Sequence, residues 1–230
     1  FQSIISVPGV PELNVSTEFT MMAWINIPST AGRSYFFAKH SNTNDLTTTG
    51  YKFGMVDGQL YARLLNVDYM GAPAVTTIAG RWVHVAATWK QNNPVSYYID
   101  GALIGSSTIT LTSSITGANN PLVLGGDNLG FNMNGAMNDV RIFNTSLSGV
   151  DIANIYASTA PVRISNITQP PLSRCEGLSN TFSINTIAGQ NLNFQWFKVP
   201  PAAAPVPLDG NDEYGVSAFT RMLQTAALTI

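Results

Sequence analysis

The acidic and histidine side chains are the first residues to test for chemistry, because bond hydrolysis depends on them. A retaining glycosidase holds two carboxyl groups roughly 5–5.5 Å apart across the scissile bond. The first 160 residues contain two glutamates, Glu12 and Glu18, in no repeating pattern. Neither His40 nor His84 is spaced from a nucleophilic residue in a recognisable catalytic pattern. His84 alternates with apolar residues, as a structural histidine on a strand does. We therefore expect a protein without catalytic residues.

Sugar binding is the second chemistry, and it uses exposed aromatic faces together with fixed amides and carboxylates. The available aromatic residues are Tyr35, Tyr51, Tyr61, Tyr69 and Trp24. Aromatic side chains of a sheet protein mostly lie in its core, so Trp24, Trp82 and Trp89 are expected to be buried. Tyr69 lies in the irregular segment 66–80, and it is the predicted exposed, ligand-binding residue. The pattern names no particular sugar.

Short strands joined by tight turns must position these residues. Asp57-Gly58 and Asp100-Gly101 each separate two runs rich in β-branched and aromatic residues. A type I′ turn needs positive φ at both central residues, which Asp-Gly tolerates, so both dipeptides predict hairpins. In the second hairpin, Ile99 should face Ala102.

The spacing of the runs predicts an all-β sandwich or barrel. The predicted strands are 3–8, 19–27, 34–38, 51–56, 59–65, 82–89, 95–99, 102–106, 108–112, 121–125 and 135–143. One helix is predicted over 148–157, with Ser148 as its cap and Asp151 three residues on.

The overall charge and hydropathy exclude two classes of partner. Charged residues make up 10% of the 230 residues and the net charge is −2, which gives no field to attract nucleic acid. No apolar run approaches the roughly 20 residues of a membrane span. Because the chain begins at Phe1, at or inside a strand, we expect it to be a piece of a longer protein.

The composition changes near residue 160, where we place a boundary between domains 1–160 and 161–230. Strands are predicted at 163–168, 181–186, 192–198 and 225–230, with a loop over 200–212 that is rich in proline. Cys175 is the single cysteine. It is either a small buried apolar residue or one half of a disulfide whose partner lies elsewhere.

The first domain resembles the laminin-G-like, concanavalin-A-like jelly roll that also includes the pentraxins. The matching runs are 19–25 (FTMMAWI), 82–86 (WVHVA), 98–101 (YIDG), 124–126 (LGG) and 135–143 (GAMNDVRIF), followed by Leu147-Ser148. The resemblance covers residues 1 to about 158. It implies an antiparallel two-sheet jelly-roll sandwich with one short helix.

The second domain resembles the opening part of a bacterial immunoglobulin-like module, in which a cysteine on strand B pairs with one on strand F across a buried tryptophan. Cys175 and Trp196 match the first cysteine and the tryptophan. The resemblance implies that strands F and G and the partner cysteine lie outside this chain, whether the module is cut, disordered there or completed by another chain. Such pairings resemble secreted modular adhesins, which implies an extracellular, cell-surface location.

Calcium is implied by the resemblance to pentraxins, which hold it with oxygen ligands from two separated loops. Carried over to this sequence, the ligands are Asn44 and Asp45 in one loop and Asp127 and Asn128 in the other. Gly126 stands where a further ligand is expected. The alternative is that all are turn residues that bind their own backbone.

The predicted function is a non-catalytic extracellular recognition or adhesion module of a larger modular surface protein. It would bind a glycan or a surface protein through a loop rim, with calcium at that rim, beside neighbouring domains of the same parent chain. One alternative is a structural spacer or repeat unit of a surface fibre that has no ligand of its own. Another is an accessory domain of a polysaccharide-degrading enzyme.

Overall fold

A computed structural model describes residues 4–40, 50–65, 67–115, 120–127, 130–160, 163–168, 181–187, 197–198, 206–207 and 225–229. The chain divides into two compact units, residues 1–156 and 157–230. None of the helices in these ranges is long and apolar enough to cross a lipid bilayer.

The first unit consists of two antiparallel sheets, as the sequence predicts. Its strands are β1 Ile5–Val7, β2 Glu18–Asn26, β3 Arg33–His40, β4 Gly50–Val56, β5 Gln59–Leu64, β6 Val67–Tyr69, β7 Trp82–Lys90, β8 Pro94–Ile99, β9 Ala102–Thr110, β10 Leu122–Leu124 and β11 Ala136–Phe143. The six-stranded sheet has the order β1-β10-β3-β4-β5-β6, and the five-stranded sheet has the order β11-β2-β7-β8-β9. This arrangement confirms the all-β class and is consistent with a jelly-roll sandwich.

Both predicted hairpins form with the expected turn geometry. Asp57 and Gly58 have φ of 47° and 82°, and Asp100 and Gly101 have φ of 49° and 78°. Ile99 lies opposite Ala102 in the β8–β9 pair. The local turn chemistry therefore fixes the register of these strands.

Two predictions of secondary structure are wrong. The segments predicted as strands 102–106 and 108–112 are joined in one continuous strand, β9, which ends at Thr110. Its pairing with β8 shifts between Pro94 and Ser96 and again between Tyr97 and Tyr98. Shifts of this kind break the sequence pattern without ending the strand. The segment 66–80, expected to be irregular, contains the edge strand β6, which pairs with β5.

A bulge in β3 shapes the core. Tyr35 pairs with Gly54 and Phe37 pairs with Phe53, which leaves Phe36 as an extra residue. Phe36 and Phe37 are both fully buried in the core cluster between the sheets. The bulge therefore sends two consecutive phenylalanines inward, where regular alternation would send one.

Helix α1, Gly149–Thr159, covers the outer face of the five-stranded sheet. Ile152 packs there with Met22, Ala86 and Tyr98 in a second apolar cluster. The predicted cap is confirmed: the Asp151 backbone N–H donates to Ser148 Oγ at 3.2 Å, and the Ser148 N–H donates to Asp151 Oδ2 at 3.1 Å. These reciprocal bonds satisfy two amides at the start of the helix.

The second unit contains five short strands in the described residues: β12 Arg163–Thr168, β13 Thr181–Ile187, β14 Phe197–Lys198, β15 Val206–Pro207 and β16 Thr225–Thr229. They form a sheet of order β12-β13-β16 and a separate β14–β15 pair. β15 falls inside the predicted loop 200–212. Cys175 and Trp196 lie outside the described residues, so the immunoglobulin-like assignment and the disulfide stay predictions.

Candidate functional site

The outer face of the six-stranded sheet carries an unusual set of aromatic and charged side chains. Tyr35, Gly54 and Tyr61 lie side by side on β3, β4 and β5. Because Gly54 has no side chain, the two tyrosine rings flank it and approach to 5.6 Å between centroids. A Cβ at Gly54 would lie 2.2 Å from the Ser34 carbonyl oxygen, so this position requires glycine.

Arg33 lies over this aromatic surface. Its guanidinium carbon is 5.3 Å from the centroid of the Tyr61 ring and 5.9 Å from that of Phe131. Both distances are within the range of cation–π attraction. Phe131 also meets Tyr35 edge to face at 6.2 Å, and it is 45% exposed. The guanidinium therefore has one buried and one exposed ring beside it.

Asp68 on β6 is shared between two arginines. Its Oδ1 accepts from Arg63 Nη1 at 2.9 Å, and its Oδ2 lies 3.5 Å from Arg33 Nη2. The side chains of Arg33 and Arg63 are 31% and 23% exposed. We name the set Arg33, Tyr61, Arg63, Asp68 and Phe131 the arginine–aromatic cluster. With two arginines and one carboxylate, its formal charge is +1, in a chain of net charge −2.

A buried ion pair anchors the segment that delivers Phe131. Lys52 Nζ on β4 lies 3.0 Å from Asp127 Oδ2, and the Asp127 side chain is 0% exposed. Asp127 Oδ1 accepts from the Phe131 N–H at 3.2 Å. The Tyr35 N–H in turn donates to the Phe131 carbonyl at 3.2 Å. Phe131 is thus fixed against the sheet by backbone bonds on both sides.

The hydroxyl of Tyr61 lies beneath this cluster. Its oxygen is buried and has no hydrogen-bond partner among the described residues. The Tyr35 hydroxyl is nevertheless close enough to interact with it electrostatically. Burial, followed by the interaction with Tyr35, raises the pKa of Tyr61. Tyr61 therefore stays neutral and serves as a platform for Arg33.

The predicted calcium ligands are only in part within the described residues. Asn44, Asp45 and Asn128 lie outside them. Asp127 lies inside, but both of its carboxylate oxygens are already bonded, one of them to a lysine. Within the described ranges no three acidic, histidine or cysteine side chains come together as a metal site requires. Asp127 as placed does not fit a calcium ligand, and calcium binding by the four residues stays a prediction.

The aromatic predictions have mixed outcomes. Tyr69 is 3% exposed, so the expectation that it is exposed is wrong. It pairs with Ala62 across β5 and β6, and its carbonyl accepts a hydrogen bond from the Tyr97 hydroxyl. Trp24 and Trp89 are buried as expected, whereas Trp82 is half-buried.

Glu18 and His84, which were considered for hydrolysis, have structural contacts instead. Glu18 Oε2 accepts from the Ser146 N–H at 3.1 Å. His84 is buried beside Trp24 and Tyr156, with ring centroids at 5.5 and 6.0 Å. Its Nδ1 has no hydrogen-bond partner in the described part of the chain, so His84 is buried as a structural histidine with one ring nitrogen unbonded.

The sequence prediction missed Arg33, Arg63, Asp68 and Phe131. The alternation of Gln59, Tyr61 and Arg63 with Leu60, Ala62 and Leu64 was a readable signal that the first three share the face opposite the core. Nothing in the sequence placed Phe131 beside Arg33, because that contact depends on the segment that follows β10.

The two antiparallel sheets and the helix are consistent with a jelly-roll sandwich. Residues 2–153 match the Laminin_G_3 model of the concanavalin A-like lectin/glucanases superfamily. The first unit therefore belongs to this superfamily, as the resemblance implied. No curated protein sequence matches the chain.

Several solved structures share the fold. Domain 4 of AbnA, an extracellular GH43 arabinanase from Geobacillus stearothermophilus solved in complex with arabinotriose, is 21% identical with a TM-score of 0.54, over 67% of this chain and 73% of that one. The CBM40 of the Ruminococcus gnavus IT-sialidase, bound to α2,3-sialyllactose, is 15% identical with a TM-score of 0.54, over 68% and 94%. The binding domain of botulinum neurotoxin serotype G is 12% identical with a TM-score of 0.53, over 90% and 54%.

Proposed function

We propose that the first unit is a non-catalytic glycan-recognition module, and that the arginine–aromatic cluster is its binding surface. The proposal includes an extracellular setting and a role in adhesion within a larger modular protein. It moves the binding surface from the loop rim expected from the sequence to the outer face of the six-stranded sheet.

The half-exposed cluster is the observation that carries this proposal. A sugar ring presents C–H groups on its faces and hydroxyls around its edge. An exposed aromatic ring suits the former, and fixed guanidinium and carboxylate groups suit the latter. Phe131 supplies the ring, while Arg33, Arg63 and Asp68 supply the polar groups. The superfamily and the glycan complexes of the arabinanase and sialidase domains agree with this reading.

The absence of a catalytic pair is inferred from the same face. In its described part, Asp68 in the cluster and Asp127, which accepts from the Phe131 N–H, are each bonded to a basic side chain. A retaining glycosidase needs two carboxyl groups placed across the scissile bond, whereas these two carboxylates are held in ion pairs with Arg63 and Lys52. We therefore infer binding without bond cleavage.

Phe131→Ala tests the proposal against a matched control. Binding to an array of immobilised glycans is measured for the chain itself, for Phe131→Ala and for Ile109→Ala. Ile109, on β9 of the other sheet, is 43% exposed against 45% for Phe131, so the control loses a similar apolar surface. We expect Phe131→Ala to abolish or weaken binding and Ile109→Ala to leave it unchanged.

Two results contradict the proposal. Equal binding by both variants would place the glycan elsewhere on the molecule. If the unaltered chain binds no glycan on the array and forms end-to-end particles in the electron microscope, the results would instead support a fibre spacer without a ligand.

A further inference from the structure

We propose that the arginine–aromatic cluster recognises a carboxylated sugar, such as a uronic or sialic acid unit, through Arg33. This inference rests on the proposed glycan-binding function and narrows it to acidic glycans.

The ion pairs leave Arg33 incompletely satisfied. Asp68 bonds closely to Arg63, at 2.9 Å, but lies 3.5 Å from Arg33. The other polar contact of Arg33, from Nη1 to the Tyr35 hydroxyl, is also 3.5 Å long. A guanidinium has five N–H donors in a planar fork that matches a carboxylate bidentately. An incoming carboxylate can therefore form shorter bonds to Arg33 than the described groups now beside it, Asp68 and the Tyr35 hydroxyl.

The charges of the surrounding face favour an anion at this point. Lys52, the third cation among the described residues of the face, is neutralised by the buried carboxylate of Asp127 at 3.0 Å. Arg63 takes the closer share of Asp68. The positive charge that is left uncompensated among these described residues is therefore that of Arg33, whose side chain is partly exposed.

The rings hold Arg33 ready for binding. Stacking over Tyr61 and beside Phe131 restrains a side chain that would otherwise lose much rotamer entropy when it binds. Phe131 is itself fixed by the bonds of its backbone to Tyr35 and Asp127. A sugar that packs against the exposed Phe131 ring places a ring carboxylate within reach of the guanidinium. A neutral sugar fills the same place but leaves the charge uncompensated.

Paired probes that differ in the carboxylate test the inference. Isothermal titration compares oligogalacturonate with its fully methyl-esterified form, and sialyllactose with lactose, at low and at physiological salt. We expect tighter binding of the acid in at least one pair, and a loss of that preference as salt rises. The pair that responds identifies uronic or sialic acid as the source of the carboxylate.

Arg33→Gln and Arg141→Gln form the matched variants. Arg141 is a half-exposed arginine paired with Asp139 on the other sheet, so each variant removes one positive charge from one ion pair. Arg33→Gln should weaken binding of the acidic probe about ten- to a hundredfold, the range for losing a charged hydrogen bond. Arg141→Gln should have little effect. Arg33→Lys keeps the positive charge but loses the planar pair of guanidinium donors. Its affinity for the acidic probe should therefore lie between those of the unaltered chain and of Arg33→Gln.

The failures are distinguishable. Equal affinity for acid and ester, or an equal loss in Arg33→Gln and Arg141→Gln, overturns the acidic-sugar inference while glycan recognition stands. If the chain binds none of the four probes and no glycan on the array, both the acidic-sugar inference and the proposed glycan recognition are overturned. Thermal unfolding of each variant shows that it is folded, and if Arg33→Gln is not, Arg33→Lys decides.

Discussion

Replacement of His84 by Gln should remove a large part of the acid sensitivity of the first unit. His84 is 1% exposed. Burial lowers its pKa to about 4 from an ordinary value of 6.5, and attraction from Asp100 and Asp139 only partly offsets this. The folded chain therefore binds a proton on His84 more weakly than the unfolded chain does.

The sign and size follow from proton linkage. Because the pKa is depressed in the folded state, the unfolded state takes up the proton first as the pH falls below 6.5. Stability is then lost between pH 6.5 and 4. The difference between 6.5 and 4, at about 1.4 kcal/mol per pH unit, corresponds to about 3 kcal/mol.

Urea-induced unfolding at pH 7 and pH 4 measures this loss. Carboxylates titrate in both proteins, so the difference between them isolates the imidazole. The unaltered chain should lose about 3 kcal/mol more between the two pH values than His84→Gln loses. Parallel losses would refute the reasoning, and so would an NMR titration of the unaltered chain that places the His84 pKa near 6.5. The NMR titration also decides the matter if the variant does not fold.

The remaining predictions concern the sheet beneath the cluster. Gly54→Ala should destabilise the chain by about 1–3 kcal/mol in urea unfolding, because its Cβ meets the Ser34 carbonyl at 2.2 Å. Gly149→Ala, whose Cβ meets Tyr98 at an ordinary 3.5 Å, should be nearly neutral; equal effects would contradict the steric argument. Lys52→Met removes the cation that compensates the buried carboxylate of Asp127 and should cost about 3–5 kcal/mol. Adding Asp127→Asn should recover part of that loss, and a purely additive loss would show that the two do not interact. If calcium binds at the predicted ligands, it should raise the thermal midpoint above that in chelator and displace Lys52 from Asp127; equal midpoints would rule the site out.

Features set by neighbouring residues could be read from the sequence. The hairpins at Asp57-Gly58 and Asp100-Gly101 were predicted because the positive φ they need is a property of those two residues. The start of α1 was predictable for the same reason, since Ser148 and Asp151 bond each other over three residues. Both signals are local and need no knowledge of the tertiary fold.

Features set by distant contacts could not be read. Tyr69 lies in a segment without strand periodicity, yet it is buried because β6 pairs with the edge of β5. Asp127 looked like a loop ligand, but Lys52, 75 positions earlier, pairs with it. Phe131 joined the candidate site through its backbone bond to Tyr35. In each case the partner that decides the outcome is remote in sequence.

The bulge at Phe36 links the core to the candidate site. It lets β3 place Phe36 and Phe37 in the core while Tyr35 and Arg33 stay on the outer face. Tyr61 is held in the same way, between the buried Leu60 and Ala62 on β5. The platform under Arg33 is therefore built from buried side chains, whereas Arg33 and Arg63 are half-exposed and contribute little to folding.

This separation has a consequence for specificity. Half-exposed side chains on a rigid sheet can change identity with little effect on stability. Solved jelly rolls that share the fold are only 12–21% identical to this chain at TM-scores of 0.53–0.54, so the framework tolerates extensive substitution. Under the proposed function, ligand choice then depends on which side chains lie on this platform. Arg33→Gln should change the preferred sugar while the unfolding free energy stays within about 0.5 kcal/mol, and a variant that loses stability and sugar preference together would show that the two are not separable.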